Sequence, residues 1–241
     1  MYGLLNLGPL SLVLFGLALW HYLRKRPDGY WLWIILFLPS IGPLIYLVVE
    51  AAPELGDPGT FKFLDRRKRI RMLESAIHDN PSAANYEELG QLHLDAGDWK
   101  VARECFDRSI TKRTDSVDPF YRRSIAEIEL GDYPAARADL ERVLAKDRGY
   151  DFHRALGLMG HVLANTGDAA GADRTFQDAL RISTLTETQL HYAEFLNSQG
   201  RKAEAKEQAQ RILNKRASMP GFLKRRERPF FRQTKSLLRA L

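Results

Sequence analysis

Thirty carboxylates, six histidines and a single cysteine are the side chains of this 241-residue chain from which an acid, a base, a nucleophile or a metal site could be built. Their spacing builds none of these. A zinc protease needs two histidines one helical turn apart with a glutamate beside the first, and a zinc or redox site needs paired cysteines; neither pattern occurs. No Gly-x-Ser-x-Gly turn exposes a serine nucleophile, and no glycine-rich loop ends in Lys-Ser or Lys-Thr to wrap a phosphate. Cys105 is the lone thiol, so it can form neither an intrachain disulfide nor a cysteine metal site, and it reads as a small core residue. The sequence therefore predicts no catalytic residue, no metal and no cofactor. What remains is recognition, carried by side chains on solvated helix faces.

Helices at a fixed period must position those side chains. Gly97-Asp98, Gly131-Asp132 and Gly167-Asp168 recur at separations of 34 and 36 residues. Ala102 and Phe106 follow the first pair, Ala136 and Leu140 the second, and Ala172 and Phe176 the third. A fourth copy runs Gly200, Ala205, Ala209. Such a period predicts stacked helical hairpins, with alanines where two helices cross closely and a bulky residue one turn later. Ahead of the turns stand Tyr86, Leu89, Gly90 and His93 in the first copy, and Leu156, Met159, Gly160 and Leu163 in the third. The second copy departs from this with Arg123-Ser124, and the fourth with Tyr192-Ala193 and with Ala209 in the bulky place.

From Ala83 to Arg216 this pattern resembles the tetratricopeptide repeat (TPR) family. The resemblance implies that the first helix of each unit lines a concave groove. That face would present Glu87, Gln91, Asp95, Tyr121, Ile125, Glu129, Arg154, His161, Asn165, Glu194 and Asn197. Being mostly acidic and partly apolar, it suits a basic amphipathic segment of a partner protein. The Lys and Asn pattern by which some TPR domains clamp a C-terminal carboxylate is absent. Residues 83–218 carry 20 basic against 22 acidic side chains, which argues against nucleic acid as a ligand of the repeats.

The front of the chain reads differently. Tyr2 to Leu23 and Tyr30 to Val49 are two nearly uncharged stretches of about 20 residues, the length that crosses a hydrocarbon core of about 30 Å. Between them lie Arg24, Lys25 and Arg26, with Trp20, Tyr22, Tyr30, Trp31 and Trp33 on either side, as at a bilayer interface. The expectation is a transmembrane hairpin over residues 1–50, uncleaved, and bent where Pro39-Ser40-Ile41-Gly42-Pro43 breaks the helical ladder. These residues, with Ile45-Tyr46-Leu47, resemble the N-terminal domain of the phospholipase D type cardiolipin synthases. The catalytic His-x-Lys-x4-Asp motifs of that family are missing, because none of His21, His78, His93, His153, His161 and His191 has lysine two residues on. Only an anchor is implied. Counting Lys62, Arg66, Arg67, Lys68 and Arg69 after the hairpin against the three basic residues in its loop favours repeats on the cytoplasmic side of a bacterial inner membrane.

Between these parts, residues 51–64 read as a Pro- and Gly-punctuated linker and 65–82 as a helix covering the first repeat. Residues 219–241, with 7 basic side chains and 1 acidic, form a basic amphipathic helix that caps the last repeat. Lys224, Arg225 and Arg226, like Arg24, Lys25 and Arg26, are expected to reach lipid headgroups. The whole reads as an all-α protein: a two-helix transmembrane hairpin followed by a solenoid of about four TPR-like repeats. Its expected role is a non-catalytic membrane-anchored scaffold, with an auxiliary or regulatory subunit of a lipid-synthesis or envelope enzyme as the alternative. The sequence leaves the oligomeric state open.

Overall fold

The computed structural model describes residues 9–25, 28–38, 41–51, 58–111 and 114–241, and for residues 9, 10, 25, 51 and 58–64 the backbone alone. The chain divides into two units, Met1–Arg71 and Met72–Leu241.

In the first unit, α1 (Pro9–Lys25) is followed by α2 (Tyr30–Phe37), α3 (Gly42–Tyr46) and a π-helical turn Leu47–Ala51. Ala18, Trp31, Ile35 and Tyr46 are buried together. His21 Nδ1 lies 2.8 Å from the Tyr46 hydroxyl, and the Trp31 and Tyr46 rings meet edge to face at 5.4 Å. Trp31 thus belongs to a small core, while Trp20 and Trp33 stay exposed.

The expected transmembrane hairpin and integral-membrane localisation are overturned here. Among the described residues, no helix is long and apolar enough to cross a membrane. The physical reason lies in the break foreseen around Pro39-Pro43: α2 stops at Phe37 after 8 residues and α3 restarts at Gly42. At about 1.5 Å per residue, α2 reaches well under half of a hydrocarbon core. Gly42 packs so closely on the Ile34 carbonyl that a Cβ there would collide with it, so the chain folds back on α2 instead of extending it. Pro39 and Ser40 lie outside the described residues.

The second unit is built as the repeat predicts. After α4 (Pro58–Asp79), which begins within the stretch read as a linker and contains the division between the units, come α5 (Ala83–Ala96), α6 (Trp99–Ser109), α7 (Asp118–Glu129) and α8 (Tyr133–Lys146). Next are α9 (Arg154–Asn165), α10 (Ala169–Ile182), α11 (Thr186–Ser198) and α12 (Lys202–Ser218), then the short α13 (Gly221–Arg226) and α14 (Arg228–Ala240). Helices α5 to α12 pack as four antiparallel pairs.

The glycine of each turn takes a left-handed conformation, with φ of 82° at Gly97, 76° at Gly131, 86° at Gly167 and 75° at Gly200, which ends the first helix at no Cβ penalty. The aspartate after it can then cap the second helix. Asp168 accepts from the Gly171 amide at 2.8 Å and Asp132 from the Ala135 amide at 3.4 Å. Asp98 instead takes the ring of His93 at 3.2 Å.

Inside the pairs, the departure of the second repeat from the pattern is compensated. A Cβ on Gly90 would sit 2.9 Å from the Phe106 ring, and one on Gly160 would sit 2.8 Å from the Phe176 ring. These glycines are the seats of those phenylalanines. Where the second repeat places Ser124 in the seat, the bulky residue shrinks to Leu140; where the fourth places Ala193, it shrinks to Ala209. All four of these residues are fully buried. Ser with Leu thus fills about the volume that Gly with Phe does, as close packing requires, whereas Ala193 with Ala209 puts less side chain between α11 and α12. At the far end Phe231 of α14 packs with Leu190, Ile212 and Met219, which covers the last pair.

Candidate functional site

Three adjoining cavities of about 610, 290 and 480 Å³ run along the first helices of the pairs, and all three are lined by Arg154. The largest lies between Gln91, Leu94, Asp95 and Trp99 on one side and Tyr121, Arg122, Ile125, Tyr150 and Asp151 on the other. The second is bounded by Ile125, Glu129, Tyr133, His161, Glu187 and His191, and by Phe230 and Gln233 from α14. Phe152, Leu185, Arg226 and Glu227 line the third. Together they make one groove.

Arg154 is held in the groove by a bidentate bond to Glu187, Nε to Oε2 at 2.5 Å and Nη2 to Oε1 at 3.0 Å. Its Nη1 donates to the Tyr121 hydroxyl at 3.4 Å and lies 3.7 Å from Asp151. The Tyr121 hydroxyl in turn donates to the Asp151 carboxylate, and Tyr150 does the same to Asp118. Burial would raise the Glu187 carboxyl, but the bonds and charge of Arg154 outweigh it and hold that carboxyl below the usual range. Burial first, and the bond to Asp151 after it, push the Tyr121 phenol well above its ordinary value. Tyr121 thus stays protonated and Glu187 ionised near neutrality.

The rings of His161 and His191 stack at 4.2 Å between centroids. Burial lowers both, and His161 adds to the effect on His191, which is pushed down to about 4. Both are therefore neutral at physiological pH. With the histidines uncharged, six carboxylates line the groove, those of Asp95, Asp118, Asp151, Glu129, Glu187 and Glu227, against the three guanidiniums of Arg122, Arg154 and Arg226. The groove is acidic, with Leu94, Trp99, Ile125 and Phe230 as apolar patches. No group of three or more acidic, histidine or cysteine side chains among the described residues could hold a metal ion.

Seven of the eleven residues expected on the concave face line these cavities: Gln91, Asp95, Tyr121, Ile125, Glu129, Arg154 and His161. Glu87, Asn165, Glu194 and Asn197 line none of the three. Asn165 turns back to the His161 carbonyl at 2.8 Å. Of the basic residues expected at headgroups, Arg24 lies over the Trp20 ring at 5.3 Å, Lys224 bonds the Ala217 carbonyl at 3.2 Å, Arg225 is exposed, and Arg226 stands at the groove 3.9 Å from Glu227. Arg26 and the side chain of Lys25 lie outside the described residues.

Helix periodicity could not reveal Asp151, Phe152 and Phe230, which come from a connection and from the terminal helix. One signal existed. The 36 residues from Gly131 to Gly167, against 33 from Gly167 to Gly200, mark a longer connection, Asp147–His153, where the next repeat has only Ser183–Leu185; the connection 110–117 leaves no such mark because α6 is the shorter helix.

Residues 121–184 match the family model of the tetratricopeptide repeat. These are TPR repeats. A curated relative, NADPH oxidase activator 1 of Rattus norvegicus, is 36% identical over 69 residues, which amount to 29% of this chain and only 16% of that protein. Among solved structures, MamA from Desulfovibrio magneticus RS-1, from residue 41 on, superposes with a TM-score of 0.57 over 73% of this chain and 96% of its own, at 17% identity. YrrB does so at 0.54 over 82% and 91%, with 14% identity, and PilW at 0.53 over 88% and 96%, with 16% identity. At such identities the likeness is one of fold: an all-α TPR solenoid. The family match lies wholly inside the repeats and lends no support to the likeness to cardiolipin synthases expected of the N-terminal residues.

Proposed function

We propose that this chain is a non-catalytic TPR scaffold whose groove holds a basic, amphipathic segment of a partner protein. The observation that carries the reading is the lining itself, six carboxylates against three arginines with apolar patches among them. Such a surface attracts cationic side chains by complementary potential and takes apolar ones by burial. YrrB, which shares the fold, is described as a TPR protein with an unusual peptide-binding site.

The test is fluorescence anisotropy of the full chain with two labelled helical peptides of one apolar pattern, one flanked by Lys and Arg and the other by Glu and Asp. The basic peptide is expected to bind, and to bind less as salt rises. Replacing exposed Asp95 and Glu129 together by lysine should weaken it about tenfold or more, which is about 1.4 kcal/mol. Equal affinity for the acidic peptide would overturn the reading.

A further inference from the structure

The connection Asp147–His153 carries a backbone feature that the repeat does not need. Asp151, Phe152 and His153 are three consecutive non-glycine residues with positive φ, at 49°, 52° and 66°. L-residues enter this region singly and at a cost, since Cβ crowds the following carbonyl, and an aromatic residue is among the least suited to it. Glycine or asparagine would close such a turn without that cost. Instead the central position holds Phe152, whose ring is 83% exposed, the most exposed large apolar residue of the second unit.

The turn is held by bonds at Asp151 and His153 and around them. Tyr121 bonds Asp151, Tyr150 bonds Asp118, and the Tyr121 and Tyr150 rings cross edge to face at 4.9 Å. The His153 amide donates to the Gly149 carbonyl at 3.0 Å, and the Arg154 amide to the Asp151 carbonyl at 2.9 Å. None of these bonds uses the Phe152 side chain. The fold therefore carries two costs at one residue, a strained backbone and a ring in water, with no packing in return.

Phe152 lines the 480 Å³ cavity together with Leu185 and Phe230 and with the carboxylates of Asp151, Glu187 and Glu227. We infer that Phe152 is an anchor of the groove: with Leu185 and Phe230 it clasps a bulky apolar side chain of the partner, flanked by a basic residue that those carboxylates attract. This deepens the reading given above and rests on it. Strain retained at an exposed position becomes intelligible when the partner removes the ring from water, and rigid aromatic anchors of this kind concentrate binding energy.

Phe152→Asn and Phe152→Tyr, made in the full chain, test it with the basic peptide. Asparagine tolerates the left-handed region, so F152N should melt at the same temperature or up to ~4 °C higher, yet bind about tenfold more weakly. F152Y should bind as the unaltered chain does. Phe222→Asn, at a ring 70% exposed that borders none of the three cavities, should change nothing. If F152N binds as well as the unaltered chain while the Asp95 and Glu129 reversal abolishes binding, the anchor is wrong and the groove stands. If neither change matters, or the peptide never binds, both fall. A drop in melting temperature with F152N would show that the ring serves the fold, which also overturns the proposal.

Discussion

Exchanging the Gly160 and Phe176 pair for the Ser and Leu that hold the same places one repeat earlier tests the packing account of the solenoid. Serine at 160 alone puts a Cβ 2.8 Å from the Phe176 ring, where carbon atoms normally sit 3.5 to 4.0 Å apart. Both side chains are enclosed, and Phe176 is fully buried, so the ring cannot swing clear. Overpacking of this kind costs about 1–3 kcal/mol, offset by roughly 0.5 kcal/mol of improved helix propensity over glycine. Phe176→Leu alone removes part of a buried ring and costs about 1–2 kcal/mol. Together the changes restore the Ser124 and Leu140 arrangement, in which the serine hydroxyl donates to the Tyr121 carbonyl at 2.7 Å. The double variant should lose no more than about 1 kcal/mol, leaving a coupling of about 2 kcal/mol between the sites at the middle of these ranges. Urea unfolding followed by helical circular dichroism measures all four corners of the cycle. Losses that add within about 0.5 kcal/mol would refute the idea that the second and third repeats keep one volume by paired substitution.

Gly131→Ala probes the turn by itself, because nothing lies within 4 Å of the added Cβ. Its left-handed φ alone should cost about 1 kcal/mol, visible as a lower urea midpoint with an unchanged slope. Glu127 probes the polar core between the first and second pairs, where Arg123 also bonds Asp139 and Asp107. Burial, with Asp139 adding to it, pushes the Glu127 carboxyl up to about 7 against Arg123 and Arg103, and its Oε2 has no hydrogen-bond partner. A carboxyl raised in the folded state contributes most below its unfolded value near 4.5, and the contribution is lost as pH rises through about 7. Glu127→Gln should therefore match the unaltered chain near the lower value and exceed it by on the order of 2 kcal/mol at about pH 8. A glutamine variant that is the weaker one at the higher pH would show that the ion pairs to arginine dominate instead.

Much of the solenoid was legible because its determinants are local. A left-handed glycine, the aspartate after it and an alanine one turn on act within a few residues of one another, so their spacing is copied directly into the chain. Helix period likewise decides which residues share a face, so Gln91, Asp95, Tyr121 and Ile125 could be placed on one; how far along a helix a cavity runs, which leaves Glu87, Glu194 and Asn197 outside all three, is not written in the period. The stretch before the repeats was misread for a related reason: apolar length suggests a span, but Gly42 seated on the Ile34 carbonyl turns the backbone before a span is complete.

What the sequence alone determined is the repeat: its period, its helix ends, and the all-α stack that follows from them. Tertiary structure decided what the groove is made of. It brought Phe230 from α14 and Glu187 from α11 against Arg154, and it kept His161 and His191 neutral by burying them together. It also showed that Ser124 with Leu140 is not a lapse from the pattern. The reason is that capping and turning depend on neighbours in the chain, whereas charge, burial and filled volume depend on neighbours in space, which no spacing records.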